Sequence, residues 1–247
     1  MPSDRLSTSS TRSVTDAPVA LVTGAAGALG QAVAAQLAQQ GHRLVLLDRG
    51  EAGLAPLAQR LSPTPVWAHA VDLTDAAATH AAVQAAVAQA GRLDAVVNVA
   101  GGFAMGQGVS DMALADLQPL LATNVGSLLH VVSAAVPALR QQGGGAVVNV
   151  AAASAQRGLA HMGAYAVSKS AVLRLTESLS AELKHQGIRV NAVLPSIIDT
   201  PANRAAMGDD QAHLWVSPQA LAEVIGFLCS PAARAIHGVG LPVTGLL

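Results

Sequence analysis

Several residue types are scarce in this sequence of 247 residues, and each scarcity excludes a class of protein. The chain has one cysteine, Cys229, which excludes an internal disulfide framework and is typical of a reducing cytoplasm. Charged residues make up 12% of the chain, and the net charge of −1 offers no electrostatic footprint for nucleic acid or an anionic membrane. We therefore expect a cytoplasmic protein whose partner is neither nucleic acid nor a membrane.

Long hydrophobic runs are also missing, although 51% of the residues are hydrophobic. Gly, Gln, Asp or His interrupts each apolar stretch before it reaches the ~20 residues that cross a bilayer. The apolar fraction excludes a disordered protein, and an α/β chain of this length is commonly one domain. Aromatic residues are few, so the single tyrosine, Tyr165, is the only candidate for tyrosine chemistry.

The first residues, MPSDRLSTSSTRSVTD, are polar and rich in serine and threonine. Arginine and serine are typical of transit peptides, but Asp4 and Asp16 are not, and no amphipathic apolar stripe is present. The apolar core of a secretory signal is missing too. We expect residues 1–17 to form a disordered tail and residues 18–247 to form a single domain.

From Pro18 onward, short β-branched apolar runs alternate with stretches of helical period. Runs such as AVVNV are apolar on both faces, which is typical of a strand between two helix layers. The alternation predicts a doubly wound parallel α/β sheet of about seven strands with helices on both faces. The stretch 199–216 interrupts the pattern after a strand, and we expect it to form a lid over the site. The predicted strands are Val19–Thr23, Arg43–Asp48, Val66–Ala70, Ala95–Val99, Ala146–Val150, Arg189–Leu194 and Leu241–Thr244, and the predicted helices are 29–40, 53–61, 75–90, 113–121, 124–141, 164–186 and 218–229.

A glycine-rich turn from Thr23 to Gly30 joins the first predicted strand to the first predicted helix. Glycine lets the backbone approach a pyrophosphate at a helix N-terminus, where free N–H groups attract anions. Asp48 ends the next strand, 18 positions after Gly30, near the ~20-residue offset of a carboxylate that binds the adenosine ribose. The pattern predicts a Rossmann-type, NAD(P)-binding domain.

The residues after the second strand bear on the choice of cofactor. A carboxylate at Asp48 repels the 2′-phosphate of NADP(H), whereas the neighbouring Arg49 attracts it. We expect NAD(H) to be preferred, without excluding NADP(H). The alternative interpretation of Asp48 is a solvated strand end. No histidine or cysteine spacing typical of a metal site is present, so we expect no metal.

Seven motifs in chain order carry a resemblance to a known family. They are Thr23-Gly24 with Gly30, Asp72 in Val71-Asp72-Leu73, Asn98-Val99-Ala100-Gly101, Asn124 in Thr123-Asn124-Val125-Gly126, Tyr165-Ala166-Val167-Ser168-Lys169, the segment Arg189 to Pro195, and Thr200. With them the chain resembles the short-chain dehydrogenase/reductase family over residues 19–247, although Ala28 and Ser196 stand where glycine is usual. The resemblance implies a small-molecule substrate and a homotetramer or homodimer.

The turn and the resemblance together imply a set of cofactor-binding residues. The acidic Asp72 matches an adenine contact, the segment from Asn98 runs beneath the adenosine, and Thr200 belongs to the nicotinamide cradle. The full set is Gly24, Ala26, Gly27, Ala28, Leu29, Gly30, Asp48, Arg49, Asp72, Leu73, Asn98, Ala100, Gly101, Val150, Tyr165, Lys169, Pro195, Ile198 and Thr200.

The resemblance also implies three catalytic residues, Asn124, Tyr165 and Lys169. Tyr165 and Lys169 are four apart, so on a helix they share one face. A phenol has a pKa of about 10, and we expect the Lys169 ammonium and an oxidised nicotinamide to lower the pKa of Tyr165 toward neutral pH. Tyr165 then exchanges a proton with the substrate, Lys169 holds the ribose, and Asn124 fixes a water. The alternative without a catalytic role is a tyrosine packed on a helix beside a solvated lysine.

One position departs from the family pattern. The family's catalytic serine lies 13 residues before the tyrosine, and Ala152 occupies that position. Ser154 is close, but two residues along an extended chain displace a side chain by ~7 Å, so Ser154 could replace that serine only if the loop folds back, and we expect the serine hydroxyl to be absent. Its absence, with Ala100-Gly101-Gly102 and Met162-Gly163, resembles the dihydropteridine reductase branch.

The sequence therefore predicts an NAD(H)-dependent short-chain oxidoreductase. It would transfer hydride between nicotinamide and a carbonyl, alcohol or quinonoid ring substrate, with Tyr165 as proton donor and acceptor. The alternative is a non-catalytic NAD-binding sensor or scaffold with a degenerate site. Ala152 favours that alternative, and the intact Asn124, Tyr165 and Lys169 oppose it.

Overall fold

Seven parallel strands form one sheet in the computed structural model, which describes residues 16–247. The spatial order is β3-β2-β1-β4-β5-β6-β7, so the winding direction reverses between β1 and β4. This arrangement confirms the predicted Rossmann-type α/β fold, in which ligands bind at the carboxyl ends of the strands near the reversal. The strands are β1 Val19–Thr23, β2 Arg43–Asp48, β3 Val66–Ala70, β4 Ala95–Asn98, β5 Gly145–Val150, β6 Ile188–Pro195 and β7 Gly240–Val243.

Helices cover both faces of this sheet, because alternate residues of each central strand point to opposite sides. In β1, Val19 and Leu21 belong to the same buried cluster as residues of α3, α5 and α6, whereas Ala20 and Val22 share the other cluster with residues of α1, α2 and α8. All five residues of β1 are buried, as its two apolar faces predict. The helices are α1 Ala28–Gln39, α2 Glu51–Arg60, α3 Ala76–Ala90, α4 Leu114–Leu121, α5 Ser127–Gln141, α6 Gly163–Leu183, α7 Pro201–Met207 and α8 Pro218–Cys229.

The largest departure from the predicted helices lies before α5. A helix was expected over 124–141, but residues Ala122–Gly126 form a π-helical turn that joins α4 to α5. The N–H of Ser127 donates to the carbonyl of Ala122, five residues earlier. Wide turns of this kind are frequent at functional sites, and Asn124 lies at the centre of this one.

The predicted lid, 199–216, has both of its ends attached to each other. Ile198 pairs with Val216 in an isolated β-bridge, and the N–H of Asp199 donates to the carbonyl of Val216 at 2.8 Å. Between these ends, Thr200 caps the short helix α7 by accepting a hydrogen bond from the N–H of Asn203. Trp215 is buried and anchors the far end.

The predicted tail lies mostly outside the described residues, which begin at Asp16. The two tail residues that are described each accept a hydrogen bond from a residue of the folded domain. The Asp16 carbonyl accepts a hydrogen bond from Arg92, and the Ala17 carbonyl accepts one from Arg43.

One helical stretch, Leu114–Gln141, is long and apolar enough to cross a membrane by length and composition alone. Counting uninterrupted apolar residues missed it, because polar residues divide it in sequence. Half of its most apolar window is buried inside the fold, where Leu128, Val131 and Leu139 belong to the core beside the sheet. A core helix passes the same test, so the stretch is weak evidence for a membrane span.

Candidate active site

A cleft of about 760 Å³ opens at the carboxyl ends of the strands, beside the reversal of strand order. The turns after β1, β2 and β4 line it, together with the beginning of the lid. A cleft at this place matches the ligand position expected for the fold. The predicted cofactor residues that line it are Gly24, Ala26, Gly27, Ala28, Leu29, Gly30, Asp48, Arg49, Asp72, Leu73, Ala100, Gly101 and Thr200.

The glycine turn after β1 is packed too tightly for side chains at two positions. Gly24 has a φ of 60°, and a Cβ there would lie 2.9 Å from the backbone of Ala100. A Cβ on Gly30 would lie 2.1 Å from the carbonyl oxygen of Gly24. The hydroxyl of Thr23 accepts hydrogen bonds from the N–H groups of Val99 and Ala100, which ties this turn to the segment after β4.

Helix α1 begins at Ala28, beside the cleft, and its N-terminus has no side-chain cap. The first N–H groups of a helix lack partners within it, and here no acidic side chain lies in the first turn. These N–H groups are available to an anion in the cleft, so Ala28 in place of the usual glycine leaves the helix N-terminus intact.

Asp48 links the end of β2 to the glycine turn. One carboxylate oxygen accepts a hydrogen bond from the N–H of Ala26 at 2.9 Å, and the other accepts one from Gly50 at 3.3 Å. A carboxylate has about four acceptor positions, so further positions are available to ribose hydroxyls. Asp48 is therefore not a solvated strand end without partners.

Asp72 follows β3 and also lines the cleft. It accepts hydrogen bonds from the N–H and the hydroxyl of Thr74, at 2.9 and 2.7 Å. The backbone bond from Thr74 is the main cause that lowers the pKa of Asp72 below its usual range, with a smaller contribution from the charge of Arg49. The carboxylate is thus held ionised at the edge of the cleft.

Six predicted cofactor residues do not line the cleft: Asn98, Val150, Pro195 and Ile198, and also Tyr165 and Lys169, which are described below. Asn98 is buried, and its side-chain amide donates to Asn149 on β5 at 2.9 Å, so its side chain belongs to the sheet. Pro195 is buried at the end of β6, and Ile198 forms the bridge at the base of the lid. Val150 contributes its carbonyl to a contact with Lys169.

Tyr165, Lys169 and Asn124 meet where the segment after β4 leaves the cleft. A Cβ on Gly101 would lie 2.8 Å from Asn124 Oδ1 and 3.2 Å from Lys169 Nζ. Both side chains therefore converge on Gly101, a cleft-lining residue without a side chain. Lys169 Nζ lies 6.0 Å from the centre of the Tyr165 ring and donates to the Val150 carbonyl at 2.9 Å.

The side chain of Asn124 is occupied by main-chain and hydroxyl partners. Its oxygen accepts from the N–H of Gly102 at 2.7 Å, and its amide group donates to the Gly102 carbonyl and to the Ser168 hydroxyl. Ser168 in turn donates to the Tyr165 carbonyl at 2.8 Å. Asn124 thereby joins the segment after β4 to the helix that carries Tyr165. Sequence reasoning missed Gly102 and Ser168 because their roles arise only from this contact.

Burial shifts the pKa values of the two titratable groups in opposite directions. It raises the pKa of Tyr165 to about 12 and lowers the pKa of Lys169 to about 8. The expectation that Lys169 lowers the pKa of Tyr165 was wrong for the protein alone. Lys169 Nζ lies 6.0 Å from the centre of the Tyr165 ring, and both groups lose solvation on burial. That loss disfavours the charged form of each group.

The chain turns directly after Ala152, so the assumption of an extended backbone was wrong there. Residues Ala153–Ala155 form a 3₁₀ turn in which the N–H of Ala155 donates to the Ala152 carbonyl. The Ser170 hydroxyl holds this turn by donating to the Ala155 carbonyl at 2.9 Å. Ser154 is buried, and its hydroxyl has no hydrogen-bond partner among the described residues.

Comparisons with known proteins agree with this fold and site. A family profile described as short chain dehydrogenase matches residues 18–211. D-threitol dehydrogenase of Mycolicibacterium smegmatis is 34% identical over 242 residues, which are 93% of this chain and 92% of that protein.

Solved structures show the same architecture. Carveol dehydrogenase of Mycobacterium avium, in complex with NAD, has a TM-score of 0.86 at 27% identity and covers 92% of this chain and 96% of its own. NAD⁺-bound xylitol dehydrogenase has a TM-score of 0.85 at 27% identity and covers 92% of this chain and 98% of its own. A doubly wound sheet with this turn defines a nucleotide-binding class of enzyme. The chain belongs to the short-chain dehydrogenase/reductase family of oxidoreductases.

The tight packing of the glycine turn leads to a prediction on stability. Gly30→Ala places a methyl group against a backbone carbonyl that has no room to move, so we expect a loss of about 1–3 kcal/mol in the free energy of unfolding. Gly27→Ala is the matched control, because its Cβ would lie 3.3 Å from the same Gly24 oxygen. Urea unfolding followed by circular dichroism measures both, and equal losses would contradict the packing argument.

Proposed function

We propose that this enzyme transfers hydride between NAD(H) and a carbonyl, an alcohol or a quinonoid ring, with Tyr165 as the proton donor and acceptor. The observation that carries the proposal is the convergence of Asn124 and Lys169 on Gly101 at the end of the cleft, beside Tyr165. The similarity to NAD-bound carveol and xylitol dehydrogenases supports a nicotinamide cofactor.

The residues of the cleft fit a dinucleotide. The uncapped N-terminus of α1 suits the pyrophosphate, and the free acceptor positions of Asp48 suit the adenosine ribose. Asp72 and Leu73 lie where the family resemblance puts the adenine, and Thr200 lines the cleft from the lid. Lys169, in contact with Gly101, is placed to bind the second ribose. When bound, the nicotinamide supplies or accepts the hydride.

Proton transfer falls to the residues of the chain. In the direction of carbonyl reduction, the Tyr165 hydroxyl donates its proton to the substrate oxygen, which becomes the alcohol hydroxyl. The resulting tyrosinate then recovers a proton from the Lys169 ammonium. Because burial places the pKa of Lys169 at about 8, this group exchanges protons with water near neutral pH. Charge on the cofactor is needed to favour the tyrosinate, since burial alone raises the pKa of Tyr165.

Asn124 acts in this proposal chiefly by position. Both N–H groups of its amide are used, so it holds Gly102 and Ser168 in place and keeps Tyr165 near Gly101. Its oxygen accepts one hydrogen bond and retains a second acceptor position. That position faces the same side of Gly101 as Lys169, and a water there would feed protons to the lysine.

A second candidate function is a non-catalytic NAD-binding sensor or scaffold. Ala152 favours it, because it stands where the family has a catalytic serine, and Ser154 in the turn that follows is buried without a hydrogen-bond partner among the described residues. The convergence of three proton-handling groups opposes it, since binding alone needs no buried lysine behind a tyrosine. Turnover separates the two candidates.

Tyr165→Phe is the direct test of the proposed chemistry. The variant keeps the ring and removes the hydroxyl, so we expect NADH affinity to survive and turnover to fall by roughly 10²–10⁴-fold. The measurement combines NADH fluorescence titration with stopped-flow oxidation of bound NADH by a panel of carbonyl and quinonoid acceptors. Unchanged turnover removes Tyr165 from the mechanism. A wild type that binds NADH and reduces no acceptor supports the sensor.

Asp48→Asn tests the choice of cofactor. The amide oxygen can still accept from the N–H of Ala26, but the negative charge that repels a 2′-phosphate is gone. We expect the wild type to bind NADH more tightly than NADPH, and the variant to narrow this gap by roughly 1–3 kcal/mol. Fluorescence titration measures both affinities, with Glu223→Gln on α8 as a control for loss of a carboxylate. A wild type that prefers NADPH identifies Arg49 as the selecting residue.

Ala152→Ser tests what the missing hydroxyl means for the substrate. One donor to a developing oxyanion contributes about 10²–10³ in rate, so an enzyme without it suits acceptors that are already electrophilic. We expect the wild type to reduce quinonoid acceptors far better than plain ketones, and Ala152→Ser to improve plain ketones selectively. Steady-state rates with both acceptor classes decide this. If Ser154→Ala abolishes turnover, Ser154 replaces the family serine and the argument fails.

A further inference from the structure

Four consecutive residues after β4 connect the cofactor cleft to the catalytic groups. Ala100 and Gly101 line the cleft, and Gly101 contacts both Asn124 and Lys169. Gly102 exchanges two hydrogen bonds with the side chain of Asn124, at 2.7 and 3.1 Å. Phe103 follows, and its ring meets the ring of Tyr165 edge-on, with 4.9 Å between centres and 76° between planes. The position of Phe103 is thus fixed by the same contacts that fix the site.

Phe103 is exposed despite this anchoring. Its side chain is 60% exposed, whereas large apolar side chains of this chain are mostly buried in the two cores. The contact with Tyr165 covers one part of the ring and leaves the remainder open beside the proton donor. An exposed aromatic ring at a reacting centre is a surface that a ligand can cover.

The segment that carries Phe103 offers a substrate no charge. Residues 103–108 read Phe-Ala-Met-Gly-Gln-Gly, and Met105 is 62% exposed. The one polar side chain, Gln107, donates to the Asp111 carbonyl at 2.7 Å. The N–H of Gly106 donates to the carbonyl of His161 at 2.9 Å, which holds the segment against the loop before α6. The wall beside Tyr165 is therefore apolar and attached at both ends.

We propose that the substrate carries a flat apolar ring next to its reacting carbonyl, and that Phe103 selects this ring. The inference rests on the proposed hydride transfer and names its substrate class. An aromatic ring packed against Phe103 gains apolar burial and a favourable ring–ring contact. An extended polyhydroxylated substrate would instead place hydroxyl groups against this wall without partners, which is unfavourable.

The test compares two activated diketones of similar reactivity, 1-phenyl-1,2-propanedione and the acyclic 2,3-hexanedione. In Phe103→Leu, which keeps an apolar side chain but no ring, we expect kcat/KM for the phenyl compound to fall about tenfold. The value for the acyclic compound should change by less than about threefold. Phe103→Trp should restore the preference for the ring. Phe227→Leu, which removes the only other phenylalanine, is the matched control on α8.

The following outcomes distinguish a failure of ring selection by Phe103 from a failure of the proposed hydride transfer. Equal losses for both diketones in Phe103→Leu overturn ring selection while leaving hydride transfer intact. If light scattering shows that Phe103→Leu changes the molecular mass while the preference for the phenyl diketone is unchanged, a second copy of the chain covers Phe103 instead. If the wild type reduces neither compound, calorimetric binding of the phenyl diketone to the NADH complex still reports on Phe103, and only a wild type that reduces no acceptor of the whole panel overturns the proposed function. Binding that is equal in wild type and Phe103→Leu then overturns ring selection.

Discussion

The close contact between the turns after β1 and β4 is the constraint on which the site depends. Gly24 approaches Ala100 so closely that a side chain is excluded, and Thr23 binds the N–H groups of the same segment. This contact sets the path of the chain from Ala100 to Phe103. Along that path the chain contacts first the cofactor cleft, then the proposed proton-transfer groups, and then forms the apolar wall.

Burial is the second physical theme of the site. Lys169 lies in the protein interior with one carbonyl partner, and Tyr165 has little water around its ring. Burial thus disfavours the charged form of each group, but with a pKa of about 8 Lys169 still carries its proton at neutral pH, whereas Tyr165 is neutral. A positive charge in the cleft favours tyrosinate, so the proposed mechanism couples cofactor binding electrostatically to proton transfer.

The fold could be predicted from the sequence because a strand buried between two helix layers is apolar on both faces. AVVNV and GAVVNV are apolar on both faces, and the strands they predict appear within one residue of the expected bounds. Features that depend on contacts between distant segments have no comparable pattern in the sequence. The 3₁₀ turn after Ala152 is held by Ser170, and the π turn around Asn124 continues one helix into another. The family resemblance assigned Asn98 to the cofactor site, but its side chain is paired with Asn149 across the sheet.

The bridge between Ile198 and Val216 has a consequence for how this enzyme changes over evolutionary time. Because the two ends of the lid are joined at its base, residues 199–215 form a closed loop whose length is independent of the sheet. The entropy of closing a loop rises only slowly with its length, so insertions or deletions there cost little stability. Residues 199–215 can therefore change in length and sequence while the glycine turn and the cleft keep their structure.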